Sequence, residues 1–247
     1  MKVDGSPNTQ HNLKNIFEKF EFTNCQRTVI VGPDTADKTS LVFQAAVTAA
    51  SAGLNVTHIC THPLKRLPAP VHGMPSPDPN KMKNVEFLYF EESSELISWF
   101  ASLHTMSRLP NLIIVEDVLS YASQLNDTQL EKSLARICAT ISDAAMWLAC
   151  KSAASPGCDV ILTAPARVLS LSHAVRQFGF KISEYCGRSK VDGNSELSFR
   201  EGKNSITVRF QRHNDVLMLT DVTASTSAEQ SVSKTENYFL KLKFVPT

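Results

Sequence analysis

Apolar and polar positions along this chain change period repeatedly, and the changes predict an alternation of strands and helices. Positions 27–31 read as a continuous apolar strand, 39–52 as a helix stopped by Gly53, and 54–60 as a second strand. The segment 63–79 holds six prolines, which restrict φ too much for a helix interior or a central strand. Beyond it, 85–90 reads as a strand, 93–106 as a helix with Leu96, Ile97, Phe100 and Leu103 on one face, and 112–115 as a buried strand. A long helix over 128–151 and an apolar strand over 159–163 follow. The character then changes: 180–186, 196–200, 206–211 and 216–220 read as strands separated by Asp-Gly, Gly-Lys-Asn and Asn-Asp turns. Parallel α/β units followed by an antiparallel meander predict an α/β fold, a doubly wound and mostly parallel sheet with C-terminal antiparallel hairpins at one edge.

Three regions are expected. In 1–23, Leu13, Ile16, Phe17 and Phe20 recur at helical spacing, as in a short amphipathic helix packing on the core. Residues 24–221 form the domain itself. The tail, 222–247, is Ser/Thr-rich and flexible before an alternating run at 238–245 that reads as a strand able to join a sheet edge. The 247 residues are 43% hydrophobic and 20% charged with a net charge of +1, which excludes an acidic tail or a generally basic nucleic-acid binder. No run approaches the roughly eighteen apolar residues that cross a bilayer, and no membrane partner is expected. The polar N-terminus lacks a secretory apolar region, so an intracellular location is the expectation. Six scattered cysteines without a C-x-x-C pair read as reduced thiols.

Candidate chemistry concentrates where the first strand runs into Gly32-Pro33-Asp34-Thr35-Ala36-Asp37-Lys38-Thr39-Ser40. This is a phosphate-loop pattern, G-x-x-x-x-G-K-[ST], with Asp37 in the place of the second glycine. In such a loop the backbone N–H groups and the helix N-terminus face phosphate, Lys38 reaches its outer oxygens, and Thr39 ligates Mg²⁺. Asp37 opposes this. At an effective dielectric of about 20, two like charges roughly 4 Å apart cost on the order of 4 kcal/mol, several hundredfold in affinity. Aspartate also gives up glycine's ease at positive φ. A second motif, Leu112-Ile113-Ile114-Val115-Glu116-Asp117, ends a buried strand on two carboxylates, one of which could hold Mg²⁺. Alternation puts Glu116 and Asp117 on opposite faces, so only one can serve. His58-x-Cys60-x-His62 offers metal-type ligands, but residues alternating along a strand stand about 6.5 Å apart and diverge, and the trio reads as structural. Phe43-Gln44-Ala45-Ala46 reads as helix core.

Gly32-Pro33…Lys38-Thr39-Ser40, Thr61-His62-Pro63-Leu64-Lys65-Arg66-Leu67-Pro68, Asp78-Pro79…Met82, and Leu112 to Asp117 with Tyr121 stand in an order that resembles the SWIM-domain-associated recombinase paralogue of the animal Shu complex. The resemblance covers roughly 25–220, and its most specific part is the Pro-Leu-x-x-x-Pro segment. It implies a RecA-like P-loop core in a nuclear protein that pairs with a zinc-containing SWIM-domain protein as a heterodimer. It further implies association with single-stranded DNA and support of a strand-exchange recombinase in homologous-recombination repair. The cofactors implied are ATP and Mg²⁺. Gly32 through Ser40 would contact nucleotide, Lys38 and Glu116 would be the catalytic pair, and Thr39 with Glu116 or Asp117 would hold the metal.

The family carries glycine at Asp37 and aspartate at Glu116. Recombinases also place a catalytic glutamate just after the second strand, where this chain has Thr61-His62-Pro63. Phosphoryl transfer depends almost wholly on positioning and charge neutralisation, so hydrolysis is expected to be weak at most. The reading is an assembly subunit of a recombination mediator. Its alternatives are a slow DNA-stimulated ATPase and, ranked below that, a small-molecule P-loop kinase, which would carry an arginine-rich lid. By analogy with RecA-type folds, the DNA-facing loops would be 118–127 and 164–173, with Arg167 and Arg176 as DNA contacts. Later basic residues, including Arg209 and Arg212, add only a modest positive excess.

Overall fold

The computed structural model describes residues 26–33, 36–151, 157–187, 194–201 and 204–225. The apolar helix pattern before Gln26 and the alternating run at 238–245 lie outside them. The strands are β1 (Arg27–Val31), β2 (Val56–Cys60), β3 (Val85–Tyr89), β4 (Leu112–Val115), β5 (Asp159–Ala164), β6 (Lys181–Cys186), β7 (Asn194–Glu201), β8 (Asn204–His213) and β9 (Val216–Ser225). They form one sheet in the order β3-β2-β4-β5-β1-β6-β7-β8-β9. Pairing is parallel from β3 through β6 and antiparallel from β6 through β9. The helices are α1 (Ala36–Ser51), α2 (Pro79–Met82), α3 (Ser93–Ser102), α4 (Val118–Leu125), α5 (Leu130–Lys151) and α6 (Ser172–Arg176).

Strand alternation divides the core in two. Val29 and Val31 of β1 and Ile113 and Val115 of β4 face Trp99, Phe100, Leu119, Tyr121, Leu134 and Ile137, which belong to α3, α4 and α5. Ile30, Leu112 and Ile114 face the other way, onto Leu41, Val42, Ala45, Ala46 and Ala49 of α1. Tyr185, Leu197, Val208, Phe210 and Leu217 extend this second layer across the antiparallel half. α1 ends at Ser51; Gly53, with a φ of 81°, then reverses the chain, and Gly53 and Leu54 donate to the carbonyls of Ala50 and Ala49.

Three expectations are corrected. α1 starts at Ala36, three residues before the predicted start, so Asp37 lies in its first turn. Among the described residues the non-glycine positions with positive φ are Asp117, Asn214 and Asp215, and Asp37 needs none of glycine's freedom. The stretch 118–127 is mostly helix rather than a DNA-facing loop: Val118, Leu119, Tyr121 and Ala122 of α4 are buried, and the Tyr121 hydroxyl donates to the Phe90 carbonyl at 2.9 Å. Apolar residues at 118, 119, 122 and 125 carry the helical period that this assignment overlooked. The stretch 164–173 is likewise ordered, as a 3₁₀ segment Ala166–Leu171 entering α6. β9 runs to Ser225.

The six-proline segment is irregular but tied down as a strap. Ala69 N–H donates to the Ser40 hydroxyl at 3.0 Å and Val71 N–H to the Gln44 side chain at 3.1 Å, while Gln44 donates to Pro75 O at 2.9 Å. On its other side, Leu217 N–H donates to Pro70 O and His72 N–H to Leu217 O, both at 2.9 Å. The strap therefore joins α1 to β9.

Gly32 is required by close approach. A Cβ there would stand 2.2 Å from the Tyr185 carbonyl oxygen of β6. Gly32→Ala should destabilise the domain by about 1–3 kcal/mol through overpacking, read as a lowered urea midpoint with unchanged slope. An unchanged midpoint would show that β1 and β6 separate freely.

Candidate functional site

The C-terminal end of β1, the first turn of α1 and the end of β4 converge on one corner. Lys38 is 5% exposed, and its ammonium donates to the carbonyls of Gly32 and Ala164, both at 3.1 Å. It is thus held at the mouth of the loop by the two parallel strands β1 and β5. The Thr39 hydroxyl donates to Glu116 Oε2 at 2.9 Å. Glu116 follows Ile114 in the alternation of β4 and faces α1, whereas Asp117 turns away. Its φ of 52° begins the turn into α4, and its N–H donates to the Thr163 hydroxyl at 3.0 Å. Of the two carboxylates, Glu116 is the one that meets Thr39. Pro33 is exposed, Ser40 is buried and accepts from the strap, and Asp34 and Thr35 lie outside the described residues, as does the side chain of Ala36.

The other oxygen of Glu116, Oε1, lies 2.8 Å from His58 Nε2. His58 comes from β2, is fully buried and stacks on Phe87 with ring centroids 5.2 Å apart. Its Nδ1 has no hydrogen-bond partner among the described residues. The neutral imidazole with its proton on Nε2, donating to Glu116, satisfies this arrangement, because a second N–H would be buried without an acceptor. Glu116 is thereby oriented from two sides, by a helix hydroxyl and a strand imidazole. Cys60, on the same strand face, is buried, and burial with Glu116 nearby pushes its thiol up to about 12.

Asp37 is answered from the far end of the chain. Arg212 of β8 donates to Asp37 Oδ1 from Nε at 2.8 Å and also from Nη2, and the Tyr185 hydroxyl reaches Oδ2 at 3.4 Å. Side-chain exposures of 23% and 15% make this a partly buried pair. Arg212 shares the face of Val208 and Phe210 by alternation, and the two-residue turn at Asn214 and Asp215, with φ of 47° and 59°, closes the hairpin beside it. A separation of 175 residues leaves no local signal of the pairing; the parity shared with Phe210 is the sole pointer in the sequence. Thr39, Ser40, the strap from Leu64 to Pro70, Arg212 and Asp215 line an open cleft of about 420 Å³.

The expected DNA contacts are not brought together. Arg167 and Arg176 are both exposed, but Arg167 follows the C-terminal end of β5. Arg176 ends α6 near Gly179, whose Cβ position abuts the Arg27 guanidinium at the start of β1. β5, β1 and β6 are parallel, so the two arginines sit toward opposite ends of the sheet. Arg209 is also engaged, with Asp221 at 2.8 Å and Glu196 at 3.4 Å.

Removing Glu116 should leave the buried His58 Nε2 without an acceptor. Glu116→Ala is expected to cost about 1–3 kcal/mol, with Glu116→Gln costing less because its amide oxygen still accepts. Equal denaturant midpoints for the two variants would remove the His58 assignment. Brief alkylation of the native protein at neutral pH should modify the exposed Cys150 and Cys186 and spare Cys60 and Cys138, whose thiols burial pushes up to about 12. Peptide mass mapping reads this out, and labelling of Cys60 at the rate of Cys150 would contradict it.

No family model and no curated protein matches the chain in sequence. Solved structures do match in fold. A KaiC-like protein from the hyperthermophilic archaeon Pyrococcus horikoshii superposes with a TM-score of 0.53 at 11% identity, over 79% of this chain and 89% of that one. A DnaB-like replicative helicase, solved with attention to its interactions with primase, superposes with a TM-score of 0.54 at 10% identity. That match covers 78% of this chain, which spans 57% of the helicase chain. Likeness at this level of identity is likeness of fold, and the fold of this chain is the RecA-like one.

Proposed function

We propose that this chain is the RecA-like subunit of a Shu-type recombination-mediator complex, retaining its nucleotide site for assembly more than for turnover. The observation that carries the preference is the strap. A hydrolytic RecA-type site needs a general base after the second strand. Here Thr61, His62 and Pro63 follow β2 and lead into a segment tied to Ser40, Gln44 and Leu217. Without a carboxylate to orient water, positioned phosphates alone accelerate hydrolysis little. The role in recombination, the nuclear location, the SWIM-domain partner, the strand-exchange recombinase and single-stranded DNA come from the sequence resemblance, and the RecA-like fold agrees with it.

The residues present fit Mg·ATP in their donor chemistry. The Thr39 hydroxyl and Glu116 carboxylate form an oxygen set suited to a hydrated Mg²⁺, which takes one or two protein oxygens and its remaining ligands from water and phosphate. Lys38 would hold phosphate oxygens at the loop mouth, with the N-terminal dipole of α1 behind it. When bound, the metal would neutralise phosphate charge. The chain's own residues then do the rest: Lys38 ties the loop to β1 and β5, His58 and Thr39 orient Glu116, and the strap covers the cleft side. The assembled trio of Lys38, Thr39 and Glu116 also favours a second reading, a slow DNA-stimulated ATPase.

Calorimetric titration with Mg·ATP, run with and without a SWIM-domain partner, separates these readings. The expected result is binding lost in Lys38→Ala, turnover no faster than in that variant, and higher soluble yield on co-expression with the partner. Sustained hydrolysis abolished by Lys38→Ala would establish the enzyme instead, and indifference to the partner would end the assembly reading.

A further inference from the structure

The Asp37–Arg212 pair has a consequence for what the loop can bind, and this consequence rests on the nucleotide reading above. A loop with glycine at 37 carries no carboxylate next to Lys38. Asp37 places a negative charge at that adjacent position. Arg212, with Nε and Nη2 both on Asp37 Oδ1, offsets that carboxylate. Asp215 also touches Arg212, at 3.5 Å, but its side chain is 85% exposed, where water screens it. Arg212 lines the same cleft as Thr39, and the strap contributes Lys65 and Arg66 to that lining.

We propose that Arg212 is the charge-compensating residue of this phosphate loop: an arginine supplied by the β8–β9 hairpin makes an aspartate-bearing loop competent for a nucleoside phosphate. The loop and the hairpin form one anion site, and the hairpin decides whether that site is open to phosphate. Sequence position alone would assign Asp37 as a lesion. The geometry makes it half of a pair whose other half lies 175 residues away.

A double-mutant cycle on the full chain tests this, with Mg·ATP as the probe in calorimetry and ligand-free melting as a second readout. Arg212→Ala should weaken binding by about tenfold or more, because the carboxylate is then uncompensated. Arg212→Lys should retain most of the affinity. The double variant Asp37→Gly with Arg212→Ala should recover the affinity of Asp37→Gly alone. Wild-type affinity in Arg212→Ala would overturn the proposal, even with a lowered melting temperature, since the pair would then be only a tether for the hairpin. Binding by Asp37→Gly but not by wild type would overturn it while leaving the nucleotide site in place. Silence of every variant, Asp37→Gly included, would overturn the nucleotide reading itself.

Discussion

The packing of α1 across the sheet is the constraint on which the rest of the site depends. Leu41, Val42, Ala45, Ala46 and Ala49 seat the helix on Ile30, Leu112, Ile114 and Ile161. Small residues at 45, 46 and 49 let the axis come close, and the first turn is thereby delivered to the C-terminal ends of β1 and β4. Lys38 and Thr39 reach their partners because of where that helix lies. Gly32 completes the constraint from below, since the Tyr185 carbonyl leaves no room for a side chain where β1 turns into the loop.

From that seating follows a pattern of compensation. The two carboxylates at this corner, Asp37 and Glu116, are each answered by one residue of a strand on the α1 face. Asp37 meets Arg212 of β8, and Glu116 meets His58 of β2 while sharing Thr39. A partly buried carboxylate without a partner costs stability. Two such groups so close to a cleft persist because each has a directed donor. The strap belongs to the same arrangement: its backbone N–H groups take their acceptors from Ser40 and Gln44, so α1 organises the loop, the strap and the hairpin through one surface.

The parallel half of the sheet was legible in the chain because buried parallel strands read as short apolar runs, and β4 coincides with its predicted bounds. The turn between β8 and β9 was legible from Asn214 and Asp215. Two things were not. α4 was passed over because a RecA-type analogy placed a loop there, although Val118, Leu119, Ala122 and Leu125 keep a helical period. α1 begins at Ala36, before Thr39, because Asp37 sits in its first turn beside Arg212, a partner that no local pattern announces.

By itself the sequence determined the α/β order and the alternation that sorts residues onto two faces, because these depend on local period. Tertiary structure alone decided which carboxylate meets Thr39, what offsets the charge of Asp37, and that Arg167 and Arg176 stand apart. Those outcomes depend on which strands become neighbours in space. β6, β7 and β8 carry Arg212 to the α1 face because they extend the sheet outward from β1, and no window of neighbouring residues contains that information.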